Sequence, residues 1–219
     1  MKRINIIVEG QTEESFIKNI LAPYFRSINS EFILIGITVE TSRGHKGGDM
    51  KFDRYKNEIM KRLNEKDKPI VTSMIDLYKL REDFPFYDDS KKIQDKYKRV
   101  EFLEKKIEKE INNERFVPYI QLHEFEGLLF SDIKGFKYID IKEKNLEKIE
   151  KIIRKNPNPE LIDDGDTTAP SKRLSKIINR YEKKKVVYGD IIAEKIGIEI
   201  IMNKCLHFKE WINKLLNSR

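Results

Sequence analysis

The sequence predicts an α/β fold built on a largely parallel sheet, and three observations carry that prediction. Short β-branched apolar runs alternate with helical patterns along the first 130 residues. The runs are nearly continuous in apolar residues, as strands buried on both faces are. From about Asp140 onward the pattern is helical throughout, which adds a helical C-terminal region. Residues 1–135 are therefore read as the α/β part and residues 136–219 as a helical extension packed on the same core.

Residues 3–8 form the first strand, Gly10 the turn and Thr12 the expected N-cap of a helix with Phe16, Ile17, Ile20 and Leu21 at helical spacing. A second run, residues 32–39, leads into the basic glycine-rich stretch 42–49, SRGHKGGD, which reads as a loop. Tyr55, Ile59 and Leu63 mark the next helix, and residues 69–75 a third strand that runs into Asp76. An amphipathic helix is expected over residues 90–113, with Ile93, Tyr97, Val100, Leu103, Ile107 and Ile111 on one stripe. Residues 116–122 read as a fourth strand with Pro118 near its start, and a helix begins at Gly127. Leu146, Ile149 and Ile153, then Leu174, Ile177, Ile178 and Tyr181, then Phe208, Trp211, Ile212 and Leu215 mark the later helices, with loops at 156–159 and 163–166.

Composition bounds the function. The chain has 219 residues, 39% hydrophobic and 37% charged, enough for one domain with a full core. No apolar run approaches a membrane span, and no export signal is seen at the N-terminus, so a cytoplasmic protein is expected. The net charge of +7 comes from 44 basic against 37 acidic residues. It permits a polyanion partner and equally reflects a lysine-rich composition. Cys205 has no partner for a disulfide and no zinc-spaced neighbours, so it reads as a small core residue, and Trp211 reads as core too. His123-Glu124 lacks the second histidine of a zincin, and the 44–48 loop lacks Walker A spacing. The run Lys183-Lys184-Lys185 reads as a solvated helix end.

The chemistry lies in acids at the ends of strands. Glu9 follows the first strand, Asp76 ends the third, and Glu124 and Glu126 follow the fourth. Ligands of open α/β sheets bind at the carboxyl edge, so these acids are expected to converge. Converging carboxylates raise one another's pKa, and a divalent cation such as Mg²⁺ or Mn²⁺ relieves that. Glu13, four residues after Glu9, is expected to join them. For Glu13 and Glu14 the competing explanation is a helix first turn, where acids are favoured anyway. Arg43, His45 and Lys46 in the glycine-rich loop, with Lys172 and Arg173, are the candidates for holding phosphates.

Residues 6–16, the strand ending Met74-Ile75-Asp76-Leu77-Tyr78, residues 120–132, and Thr168-Ala169-Pro170-Ser171-Lys172-Arg173 together resemble an uncharacterised bacterial family of unknown function. Residues 191–197 and the stretch from His207 to Trp211 extend the likeness over nearly the whole chain. That family is similar to Toprim domains and to the nuclease domain of overcoming-lysogenisation-defect proteins. The resemblance implies a Toprim-like, Rossmann-like domain in which a glutamate after the first strand and a DxD after a later one work with Mg²⁺ or Mn²⁺. Glu9 matches the glutamate, Glu9 with Glu13 an ExxxE, and Asp76 the first aspartate of DxD. Tyr78 stands at the second position, which leaves a missing ligand to Glu124 or Glu126. An ATPase partner of the ABC or AAA type, in a phage-defence locus, is also implied. The expected function is a metal-dependent nuclease acting on DNA or RNA. The alternatives are a non-catalytic subunit that binds nucleic acid or an ATPase, and a small-molecule phosphotransferase or hydrolase.

Overall fold

In the computed structural model, residues 1–42, 45–46, 50–162, 165 and 167–218 are described, with backbone alone at 40–42, 45–46 and 79. The isoleucine-rich first run makes β1 (Lys2–Val8). After Gly10 the chain enters α1 (Gln11–Phe16), continues through a π-helical stretch at Ile17–Leu21, and ends in α2 (Ala22–Ile28). Next come β2 (Phe32–Thr38), the short antiparallel pair β3 (Glu40–Ser42) and β4 (His45–Lys46), α3 (Phe52–Leu63) and β5 (Ile70–Asp76). Then follow α4 (Tyr87–Lys91), α5 (Lys96–Ile111), β6 (Phe116–Val117), β7 (Ile120–Gln121) and the single turn α6 (Glu126–Leu129). The C-terminal part is helical: α7 (Glu143–Lys155), α8 (Pro170–Ile177), α9 (Tyr181–Ile196), α10 (Ile198–Lys204) and α11 (Leu206–Asn217). No helix among the described residues is long and apolar enough to cross a membrane.

The main sheet has the order β2-β1-β5-β6, with β7 also pairing β5, and every pair in it is parallel. This is a mixed α/β architecture with helices on both faces. From β1 the chain crosses to β2 on one side and then to β5 on the other. The order therefore reverses between β1 and β5, the kind of position where open α/β sheets bind ligands. The two faces carry separate apolar clusters. Ile4, Ile6 and Val8 of β1 pack with Phe16, Phe25, Leu128, Ile192, Phe208 and Trp211. Ile7, Val71 and Ile75 pack on the other face with Tyr55, Ile59, Leu103 and Ile107. The alternation along β1 follows from the two-residue period of a strand.

Four sequence expectations are corrected here. Thr12 is not the cap of α1; Gly10 holds that position with extended backbone and no side-chain cap. Thr12 is buried instead, facing α9, where a Cβ built on Gly189 would lie 3.4 Å from its Cγ2. The helix expected over 90–113 is two helices, because the Asp95 carboxylate accepts the Lys98 N–H at 3.0 Å and starts α5 afresh, and left-handed Asn112 ends it. The fourth strand is two short strands. Pro118 has no N–H to give, and the Tyr119 N–H goes to Ser73 Oγ at 3.2 Å. The glycine-rich stretch read as a loop contains β4, and Arg43 lies outside the described residues, as do 163, 164 and 166 of the loop expected at 163–166.

Candidate functional site

Parallel pairing sets Val8 opposite Met74, so β1 and β5 deliver Glu9 and Asp76 side by side at the carboxyl edge. Glu9 Oε1 accepts the Asp76 N–H at 3.0 Å. Asp76 Oδ1 in turn accepts the Phe125 N–H at 3.1 Å, which ties the end of β5 to the turn after β7. That turn is made by His123, buried and left-handed at φ 62°, whose carbonyl accepts the Tyr78 N–H at 3.1 Å. A non-glycine residue held left-handed is uncommon, and such strain gathers at functional sites. It swings Glu124 and Glu126 back toward the sheet edge.

Each of these acids has its own anchor. Glu124 Oε2 accepts the Ser171 N–H at 2.8 Å and its Oε1 accepts the Ser171 hydroxyl at 2.9 Å. Ser171 follows Pro170 in the first turn of α8, so Glu124 caps that helix from elsewhere in the chain. Glu126 Oε1 lies 2.7 Å from Lys185 Nζ of α9. Glu13, in the first turn of α1, is buried, which capping alone does not require. Glu14 points elsewhere and accepts the Thr38 hydroxyl at 2.5 Å.

The electrostatics bind the five acids into one group. Burial, then the charges of Glu9, Glu13, Glu126 and Glu124, push the Asp76 carboxyl well above its usual range. Burial also raises Glu13, against the pull of Lys185 and of the Glu13 and Gly10 N–H groups. Glu126 is pushed up to about 7 by burial, with Lys185 opposing. Burial alone would lower the Lys185 ammonium, but Glu126, Glu13 and Asp76 hold it above its ordinary value. Carboxyls raised together by burial and by one another, at the edge of a parallel sheet, make this a candidate functional site.

Of the expected acids, Glu9 meets the backbone of Asp76 directly, and the charges of Glu13, Glu124 and Glu126 act on Asp76. Among the described residues, no three His, Cys, Asp or Glu side chains are grouped as they stand to hold one ion. Of the phosphate candidates, Lys172 is exposed on the first turn of α8 beside Ser171, whereas Arg173 donates to the Thr168 carbonyl. His45 and Lys46 form β4, described as backbone alone. Lys185 corrects the reading of a solvated helix end: its side chain is only 30% exposed. A signal was present, since Lys185 falls in the stripe Tyr181, Gly189, Ile192 and Ile196, all buried. Tyr181, which the sequence offers only as a helix-marking position, is buried and also looks onto the acids; burial and the charges of Glu126, Glu182, Glu124 and Glu13 raise its hydroxyl. Ser171 carried no spacing signal of its own.

No curated protein and no solved structure matches the chain at a significant level. A family model does, the domain of unknown function DUF4276, over residues 8–216. That match begins at the last residue of β1 and takes in every acid of the site, Ser171 and Lys185. The chain belongs to the DUF4276 family.

Proposed function

We propose that this chain is a Toprim-like, Mg²⁺- or Mn²⁺-dependent enzyme of phosphodiester bonds, a nuclease acting on DNA or RNA. The observation that carries the reading is the meeting of Glu9 and Asp76 where the strand order reverses, with Glu13, Glu124 and Glu126 gathered around them. The donor set fits the ion: carboxylate oxygens are the hard ligands that Mg²⁺ and Mn²⁺ take, and raised carboxyl pKa values are what a bound cation relieves. Glu9 and Asp76 would hold it, assisted by Glu13 and Glu126. When bound, it supplies charge stabilisation to the attacking and leaving oxygens.

The chain's own residues do the rest. Glu124, engaged by Ser171 through both oxygens, holds the turn that carries Phe125 and Glu126. Lys172, exposed at the adjacent helix start, is suited to guide a phosphate, and Arg43, His45 and Lys46 are candidates from sequence. Action in a phage-defence locus beside an ABC- or AAA-type ATPase is part of the proposal and rests on the family resemblance. Cleavage of supercoiled plasmid and of a mixed RNA pool with Mn²⁺, by wild type, Glu9→Gln and Asp76→Asn, tests it. Metal-dependent cutting by wild type that falls by two or more orders of magnitude in both variants is expected, at unchanged circular dichroism. Equal cutting by all three proteins would sink the reading.

A second reading is favoured by Tyr78 at the second DxD position and by acids already engaged with Ser171 and Lys185. On it, the chain is a non-catalytic subunit that binds nucleic acid or an ATPase. It predicts binding that is indifferent to divalent metal and to Glu9→Gln.

A further inference from the structure

We propose that Lys185 is the resident cation of the carboxylate site, standing where a second divalent ion would otherwise be needed, so that the site takes up a single ion. The inference rests on the metal-site reading above and names which of the chain's own residues completes it.

Lys185 is built into the cluster. Its Nζ lies 2.7 Å from Glu126 Oε1, and the Glu126 side chain is 1% exposed. The charges of Glu13 and Asp76 also act on it. A lysine stem in a buried helical stripe is costly unless its ammonium has a fixed counter-charge, and the cluster supplies several. The same stripe brings Tyr181, four residues earlier, to the same acids. The Tyr181 hydroxyl is buried, and among the described residues it has no hydrogen-bond partner, while Glu126, Glu124 and Glu13 act on it. An orphaned buried hydroxyl facing carboxylates marks a site built to hold a further polar group.

The two residues after Asp76, Leu77 and Tyr78, add no carboxylate to the site. After Asp76 the backbone enters a 3-10 turn at Leu77–Lys79, where the second DxD position is Tyr78 and its N–H is spent on the His123 carbonyl. One fixed ammonium and one divalent ion then face the five acids. An ordinary structural ion pair differs in one respect: its removal destabilises the protein without creating affinity for a cation.

Calorimetric titration of Mn²⁺ into the intact chain separates the two, using wild type, Lys185→Met, Lys185→Gln and Lys185→Arg, with thermal melts as the check on folding. One Mn²⁺ per wild-type chain is expected. Lys185→Met and Lys185→Gln should take up a second ion, or bind the first on the order of tenfold more tightly, because a fixed positive charge has gone. Lys185→Arg should keep the wild-type count. Two ions in the wild type would overturn the inference, and this arm does not depend on any variant folding. Wild-type binding that is unchanged in the Met and Gln variants would overturn it while leaving the metal site intact. No Mn²⁺ bound by any of the four proteins would overturn the metal-site reading and the inference with it.

Discussion

Glu160 and Glu104 illustrate how this chain treats a buried carboxylate that has only a structural task. Glu160 Oε2 accepts the His207 N–H at 3.1 Å and the Tyr97 hydroxyl at 2.8 Å, and Oε1 accepts the Phe208 N–H at 2.9 Å, which caps α11. Glu104 Oε1 accepts the Ile120 N–H at 2.8 Å and lies 2.9 Å from His207 Nε2. These acids are surrounded by donors, whereas Asp76 is surrounded by other acids. That contrast, not burial, distinguishes Asp76. Two predictions follow at this scale. Ser171→Ala removes the hydroxyl from Glu124 and should lower stability by about 1–3 kcal/mol in urea unfolding; no loss would mean that Glu124 is held by other groups. For His207, burial alone would lower the pKa, but the hydrogen bond and charge of Glu104 and the charge of Glu160 raise it, with Lys214 opposing. A raised folded pKa stabilises the protein fully below the unfolded value of about 6.5 and is lost as pH climbs through the folded value. Stability should therefore decline as pH rises above 6.5, and part of that decline should vanish in His207→Gln. An identical pH profile in the variant would refute the assignment.

At the level of elements, β1, β2, α3 and β5 were legible to within a few residues, because their signals are apolar runs and stripes that burial enforces. The fourth strand and the long helix were misread where a local group outcompetes the pattern: Pro118 and Ser73 Oγ at the first, Asp95 at the second. The meeting of Glu9 with Asp76 was legible because neighbouring parallel strands end at one edge whatever the loops do. Lys185 was not, since a lysine within a lysine run looks solvated until the helix stripe is drawn. α9 itself sits close to its neighbours. A Cβ on Gly135 would lie 2.6 Å from the Ile192 carbonyl oxygen of α9, so the 3-10 segment at Ile133–Tyr138 meets the helix backbone directly. Gly135→Ala should cost about 1–3 kcal/mol by overpacking and lower the unfolding midpoint, since neither backbone can yield cheaply. A midpoint equal to wild type would show that the contact relaxes.

Over the whole molecule, the sheet and the C-terminal helices are one structure for the purposes of the site. The apolar cluster on one face of β1 runs from Ile4 to Leu215, and α8 and α9 bring Ser171, Tyr181 and Lys185 to acids carried by the strands. The chain as a whole carries an excess of positive charge, whereas the charges acting on Asp76 are those of other carboxylates. On the proposed function, the basic excess would draw a polyanion and the acids would hold a cation. The most direct measurement is anomalous diffraction from crystals grown with Mn²⁺. The account predicts a manganese peak in direct coordination with Asp76 and Glu9, at the edge between β1 and β5. Well-ordered crystals with no peak there, at Mn²⁺ concentrations that support activity, would contradict it.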